Sequence, residues 1–224
     1  MKTTIKPELR WYSDIAMFAI DRPVSSCTHC TSFCRRNCYN MKLYRLYDAM
    51  TGKDRRNEEY WQTLTGESLK NTLNRKRNQV SRFRLMTRGE AFSDLADISR
   101  VKDLLLSNPD TIFWIPTRAW RTESIWDLVK REIAVLPNAR IQASFDPSNS
   151  VGEWLDVIRQ GVGIMFFGHD SFFNDTVTGV IAKSMLPVVK CGKTWKTNGP
   201  DENCSNCDSG CFNTAQDIVH LKSH

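Results

Sequence analysis

Eight cysteines stand in two groups of four, with none between the groups. Cys27, Cys30, Cys34 and Cys38 are separated by two, three and three residues. Cys191 precedes Cys204, Cys207 and Cys211, the last three separated by two and three. Thiolate sulfur is a soft ligand that suits zinc and iron–sulfur clusters, and four thiolates complete a four-coordinate set. Each group therefore has the ligand number and the chemistry of a metal centre. Disulfides are the competing use, but they belong to oxidising compartments. Unreactive core cysteines would be scattered rather than grouped.

The bulk numbers set the context for those thiols. The chain has 224 residues, 41% hydrophobic and 25% charged, enough for one good core or two small domains. Lys and Arg number 31 against 25 Asp and Glu, a net +6 that is compatible with nucleic-acid contact without specifying it. Met1–Pro7 is not followed by an apolar run of signal-peptide length, and no run is long enough to cross a membrane. The expectation is a cytosolic protein, located in the cytoplasm. In a reducing cytosol, grouped thiols are expected to hold metal.

The elements that position the thiols alternate. Apolar runs at 15–20, 83–87, 111–115, 140–145, 162–167 and 186–190 read as strands. Helical spacing follows most of them. Leu95, Ile98, Val101, Leu104 and Leu105 form one stripe, with Ser93 as the expected cap. Ile125, Leu128, Val129, Ile133 and Leu136 form another. Ser150-Val151-Gly152-Glu153 is a capping box before Trp154, Leu155 and Ile158, and a weaker helix is expected over 175–184. Residues 54–78 read as one or two helices, whose basic run Lys70, Arg75, Lys76, Arg77 reads first as a solvated face and second as a nucleic-acid contact.

A strand–helix period of roughly 25 residues is that of βα units, which build parallel sheets with their sites at the carboxyl edge. About six strands predict an α/β fold, a partial TIM-type parallel β/α barrel over 1–190, with a Cys-rich metal-binding extension over 191–224. A doubly wound open sheet is the alternative. The first thiol group follows the first strand and Cys191 follows the last, so both are expected on one edge. Glu90, Thr117, Arg118, Asp146 and His169 end the strands between them.

Cys27-x6-Cys34-x3-Cys38-Tyr39, the stretch Phe113–Arg121, and Cys191…Cys204-x2-Cys207-x3-Cys211 together resemble the phage gene product 88-like proteins, which are similar to radical SAM enzymes. That resemblance implies a [4Fe–4S] cluster in the loop after the first strand. Three cysteines would hold it, and the fourth iron would be left for the amino and carboxylate groups of S-adenosylmethionine. Arg88-Gly89-Glu90 resembles the Gly-Gly-Glu motif that receives the amino group, with Arg88 in place of one glycine. Gly89, Glu90, Arg118 and Ser144 are the candidate cofactor-binding residues. The spacing Cys30-x3-Cys34-x3-Cys38 differs from the usual C-x3-C-x2-C, and a fourth thiol stands beside it. The second group suits an auxiliary cluster or a structural Zn2+. A substrate or redox partner is implied, and the residues do not specify which. The competing expectations are a non-catalytic iron–sulfur protein for electron transfer and a zinc-stabilised nucleic-acid-binding module.

Overall fold

The computed structural model describes residues 10–12, 17–47, 49–75, 81–168, 186–191, 204, 207, 211–212 and 218–222. Its centre is a sheet of eight strands: β1 (Arg10–Tyr12), β2 (Met17–Ile20), β3 (Arg82–Leu85), β4 (Ile112–Thr117), β5 (Ala139–Phe145), β6 (Gly163–Gly168), β7 (Val188–Lys190) and β8 (Ile218–Lys222). The spatial order is β1-β2-β3-β4-β5-β6-β8-β7. Every pairing from β2 to β7 is parallel, and β1 alone runs antiparallel, on β2.

All six expected strands are present in this α/β architecture. Two more join them. Three-residue β1 is too short to show a period, and β8 reaches the sheet only through a place between β6 and β7 that no local pattern encodes.

Alternation along the strands divides the sheet into two faces. Phe83 lies beside Phe18 and Phe113 in the ladders, and Phe145 beside Phe166. These residues bury against the helices. The helices are α1 (Ser32–Arg36), α2 (Tyr39–Leu46), α3 (Ala49–Thr63), α4 (Gly66–Asn74), α5 (Leu95–Ser107), α6 (Glu123–Leu128, continued by a π segment Val129–Ile133) and α7 (Val151–Arg159). Trp61, Leu69, Val101, Leu104, Val129 and Trp154 supply their side of the core. Rings run through it in succession: Trp120 stacks on Phe145 at 4.4 Å, Phe145 meets Trp154 at 4.6 Å, and Trp154 meets Phe166 at 5.5 Å. The other face places Arg84, Trp114 and Arg140 side by side, with Ser144 beside Met165.

Helix ends follow local chemistry, with one correction. The capping box of α7 forms as expected, Ser150 accepting from the Glu153 N–H while Glu153 receives the Ser150 N–H. In α5 the cap is Asp94, not Ser93. Asp94 accepts from the Asp97 N–H, and the Ser93 hydroxyl turns away to donate to the Ser26 carbonyl at 2.7 Å. Leu95 is 59% exposed, because the first residue of α5 faces outward while Ile98, Val101, Leu104 and Leu105 turn in. Residues 54–75 do form two helices; Lys70 and Arg75 are exposed, and Lys76 and Arg77 lie outside the described residues. So do His169, Asp170 and the helix expected over 175–184. Among the described residues no helix is long and apolar enough to cross a membrane.

Candidate metal centre at the carboxyl edge of the sheet

The first thiol group occupies the connection after β2. A 3-10 turn, Val24–Ser26, leads to Cys27; Cys34 lies in α1, and Cys38 is the N-cap of α2. All four sulfurs are half-buried and none is in a disulfide. Burial pushes the Cys27 thiol well up from its ordinary range. The charges of Glu90, Cys34, Cys30 and Cys38 push the same way, so the four sulfurs lie within one another's field. Cys34 is raised by burial too, opposed by Arg118. Buried thiols such as Cys27 and Cys34, which resist ionisation, are stabilised as thiolates by a cation beside them.

The ends of β3, β4 and β5 surround this loop. Gly89 has φ +84°, the left-handed region, and a Cβ there would lie 2.7 Å from the Arg22 Cβ and 2.7 Å from the Ser26 Oγ. Only glycine permits that approach, which presses the β3 loop onto the thiol loop. The Glu90 N–H then donates to Ser26 Oγ at 3.0 Å. The Glu90 carboxylate is buried and accepts three hydrogen bonds: from the Thr117 hydroxyl (2.6 Å), the Phe92 N–H (3.2 Å) and the Arg118 N–H (2.9 Å). Of about four acceptor positions on a carboxylate, one remains.

Arg118 extends from the end of β4 to Asp146 at the end of β5, Nη2 to Oδ2 at 2.9 Å. Its Nη1 is buried without a hydrogen-bond partner, and its charge acts on Cys34. The same Asp146 oxygen accepts from the Thr31 hydroxyl at 2.5 Å, and Thr31 Oγ1 in turn accepts from the Cys34 N–H at 2.9 Å. Ser148 donates to the other oxygen twice, at 2.9 and 2.6 Å. Burial alone would raise the Asp146 carboxyl. The Arg118 charge and the Ser148 and Thr31 bonds outweigh it and hold Asp146 below the usual carboxylate range.

His29, within the Cys27–Cys30 segment, serves as a fastener. A carbonyl can only accept, so Nε2–H donates to the Phe92 oxygen (2.9 Å), and Nδ1 is hydrogen-bonded to the Thr122 hydroxyl (2.9 Å). Arg121 donates to the His29 carbonyl at 3.0 Å. Behind the loop, Arg22 ties β2 to the β3 connection by bonding Asp97 (2.7 Å), Glu58 (2.7 Å) and the Glu90 carbonyl (3.0 Å). Arg88, which replaces a glycine of the expected motif, pairs with Asp54 of α3, near Asp21. Its side chain thus braces the loop from the helix side and faces away from the role a glycine would have.

The second thiol group meets the sheet elsewhere. Cys191 follows β7 as expected, its N–H donating to the His220 carbonyl at 2.9 Å. Cys204 and Cys207, by contrast, offer their carbonyls to Arg82 at the start of β3, at 3.2 and 2.8 Å. Phe212 packs edge-on to Trp114 at 5.9 Å beside Met17, and its carbonyl accepts from Arg140 at 3.1 Å. Burial raises the Cys211 thiol; the charges of Cys191, Cys204 and Cys207 add to this, and Arg84 opposes it. This group is gathered against the arginine-bearing face of the sheet, whereas the first lies at its carboxyl edge.

Of the candidate cofactor residues, Gly89, Glu90 and Arg118 converge on the first thiol group. Ser144 is buried on β5, two residues before Asp146, and its carbonyl accepts from Trp120 Nε1 at 3.0 Å. Thr31, His29, Ser26 and Arg22 complete the site and were not singled out by sequence. Thr31 alone carried a local signal, a Thr three residues before a helical N–H. Among the described residues no three of His, Cys, Asp and Glu converge on a single metal ion. A Zn2+ would draw its sulfurs to about 2.3 Å from one point, whereas a cubane takes one thiolate per corner iron. The soft donor chemistry of both quartets is of the kind that thiolate-bound metal uses.

The family pattern described as Gene product 88 matches residues 3–213, spanning both thiol groups and the sheet between them. No curated protein and no solved structure matches the chain.

Proposed function

The chain belongs to the gene product 88 family of phage proteins, and we propose that it is an iron–sulfur protein of radical-SAM-like architecture, a partial β/α barrel. In this reading Cys27, Cys30, Cys34 and Cys38 hold a [4Fe–4S] cluster, and Cys191, Cys204, Cys207 and Cys211 hold a second cluster or a Zn2+. The observation that carries the proposal is the placing of the four-thiol loop against Glu90, Arg118 and Asp146 at the carboxyl edge of a parallel sheet. Sites in such sheets collect there because the strand-end loops converge on that edge.

When bound, the cluster would supply an electron to S-adenosylmethionine and so initiate radical chemistry on an unspecified substrate. The chain's own residues orient the ligands and provide charge. Thr31, held by Asp146, fixes the Cys34 turn. Gly89 brings Glu90 against the loop, and its remaining acceptor position suits an ammonium group. Arg118 presents an unpaired N–H that suits a carboxylate.

A second reading, a non-catalytic cluster for electron transfer, is favoured by one feature. The loop offers four thiols where an open iron needs three, and three of the Glu90 acceptor positions are already used within the protein.

Anaerobic purification with iron and sulfide analysis, followed by S-adenosylmethionine titration monitored by electron paramagnetic resonance, separates these readings. Iron and sulfide in cluster proportion with a spectral change on titration support the first. A cluster with an unchanged spectrum leaves the second. Zinc without acid-labile sulfide in the wild type and in a Cys204→Ser variant defeats both.

A further inference from the structure

Three arginines share the sheet face turned away from the helices: Arg82 and Arg84 on β3, and Arg140 on β5. Two of them are committed. Arg82 donates to the carbonyls of Cys204 and Cys207, and Arg140 to those of Phe212, Pro137 and Ala139. Arg84 is different. It is half-buried, its Nε is buried without a hydrogen-bond partner, and among the described residues no carboxylate pairs with its guanidinium. Arg22, Arg88 and Arg118, by contrast, each meet an acid.

An aromatic ring holds Arg84 in place. Its Cζ lies 4.4 Å from the centroid of Trp114, and the Trp114 indole N–H donates to Gln142 at 2.8 Å, which fixes the ring. A cation over a ring uses its charge and leaves its N–H donors free. On the other side in the ladder stands Ala19, whose methyl group offers no acceptor. Donors oriented in this way and left unused are costly until an acceptor arrives. The planar fork of a guanidinium matches the oxygens of a carboxylate or a phosphate. Arg84 also lies within the field of Cys211, so charge compensation of the second thiol group is the competing role. Four thiolates on a divalent metal carry about −2, however. Set against Arg82, Arg84 and Arg140, that still leaves this face net positive among the described residues.

We propose that Arg84, held over Trp114, anchors the carboxylate or phosphate group of a small-molecule ligand on this face of the sheet. Strand β3 carries Arg84 on the face and leads, six residues on, to Glu90 against the first thiol loop. A ligand anchored at Arg84 and lying along the strand therefore extends toward that loop, and the substrate is an acidic compound, not a neutral one. As a statement about the substrate this rests on the catalytic reading above; as an oxyanion site it stands on Arg84 itself.

The test uses acetate and inorganic phosphate as probes on the whole, nitrogen-15-labelled protein, with sodium chloride at equal ionic strength as the control. The Trp114 indole N–H resonance, assigned by its loss in Trp114→Phe, reports on the ring beneath the guanidinium. Arg84→Gln removes the charge; Arg84→Lys keeps the charge without the fork and guards against misfolding of the first. The expected result is a saturable shift with acetate or phosphate and none with chloride. The apparent Kd is expected to be at least about tenfold weaker in Arg84→Gln and intermediate in Arg84→Lys. The probe that saturates at the lower concentration identifies the group as carboxylate or phosphate. No saturable shift in the wild type, an equal shift with chloride, or an unchanged Kd in Arg84→Gln overturns the proposal. Loss of bound metal from Arg84→Gln, with no oxyanion shift in the wild type, makes Arg84 a charge partner of the second thiol group and overturns it too. A saturable, Arg84-dependent shift in a protein without iron and sulfide leaves the anchor standing and defeats the catalytic reading instead.

Discussion

Replacing Asp146 by Asn tests the central arrangement most directly. Asp146 is fully buried and holds three elements at once: Arg118 from β4, Thr31 from the thiol loop, and Ser148 from its own turn. The Asn side chain keeps the shape but removes the charge, leaving Arg118, 12% exposed, without its partner. Breaking a buried ion pair on one side costs about 3–5 kcal/mol, because the remaining charge stays desolvated. For a chain of this size each kcal/mol moves Tm by about 2–4 °C, so the expected loss is roughly 6–20 °C. Urea unfolding followed by circular dichroism at pH 7 measures the difference.

The pH dependence gives a second, sharper check. The folded-state pKa of Asp146 is depressed, so its contribution is present above the unfolded value of about 3.9. It is lost as pH falls through the folded value. The gap between wild type and Asp146→Asn is therefore expected to be constant from pH 5 to 7 and to shrink below about pH 4. A loss under about 1 kcal/mol at pH 7, or a gap that persists unchanged at the acid end, would refute the reasoning.

Two other perturbations probe the supports of the site. Gly89→Ala places a Cβ 2.7 Å from two neighbours at φ +84°, and a destabilisation of about 2–4 kcal/mol is expected from strain and overpacking; urea denaturation showing less than about 1 kcal/mol would contradict the close approach. Asp54 is raised to about 6, chiefly by burial, with Arg88 opposing and Asp21 adding. Its folded value exceeds its unfolded one, so its contribution to stability declines as pH rises from about 4 to 6. A carboxyl titration of Asp54 by carbon-13 resonance is expected to have its midpoint near 6 and to drop out in Asp54→Asn.

The two cysteine groups were legible in the sequence because residue spacing is local. Cysteines three and four residues apart declare themselves without a fold, and so do the α7 capping box and the apolar runs of β2 to β7. Gly89 and Glu90 were readable as well, since a glycine and an acid at a strand end are a local signal. Tertiary structure alone decided what those residues meet. Thr31 and Asp146 are 115 residues apart, and Cys207 and Arg82 are 125 apart. Such pairs follow from strand order and register, which depend on packing the whole sheet against its helices and are not written in any window of chain. The same cause put β8 between β6 and β7, gave Arg88 a carboxylate on α3, and separated the two thiol quartets into an edge and a face. Sequence determined which thiols exist and how they are spaced; the parallel sheet determined which charges surround them.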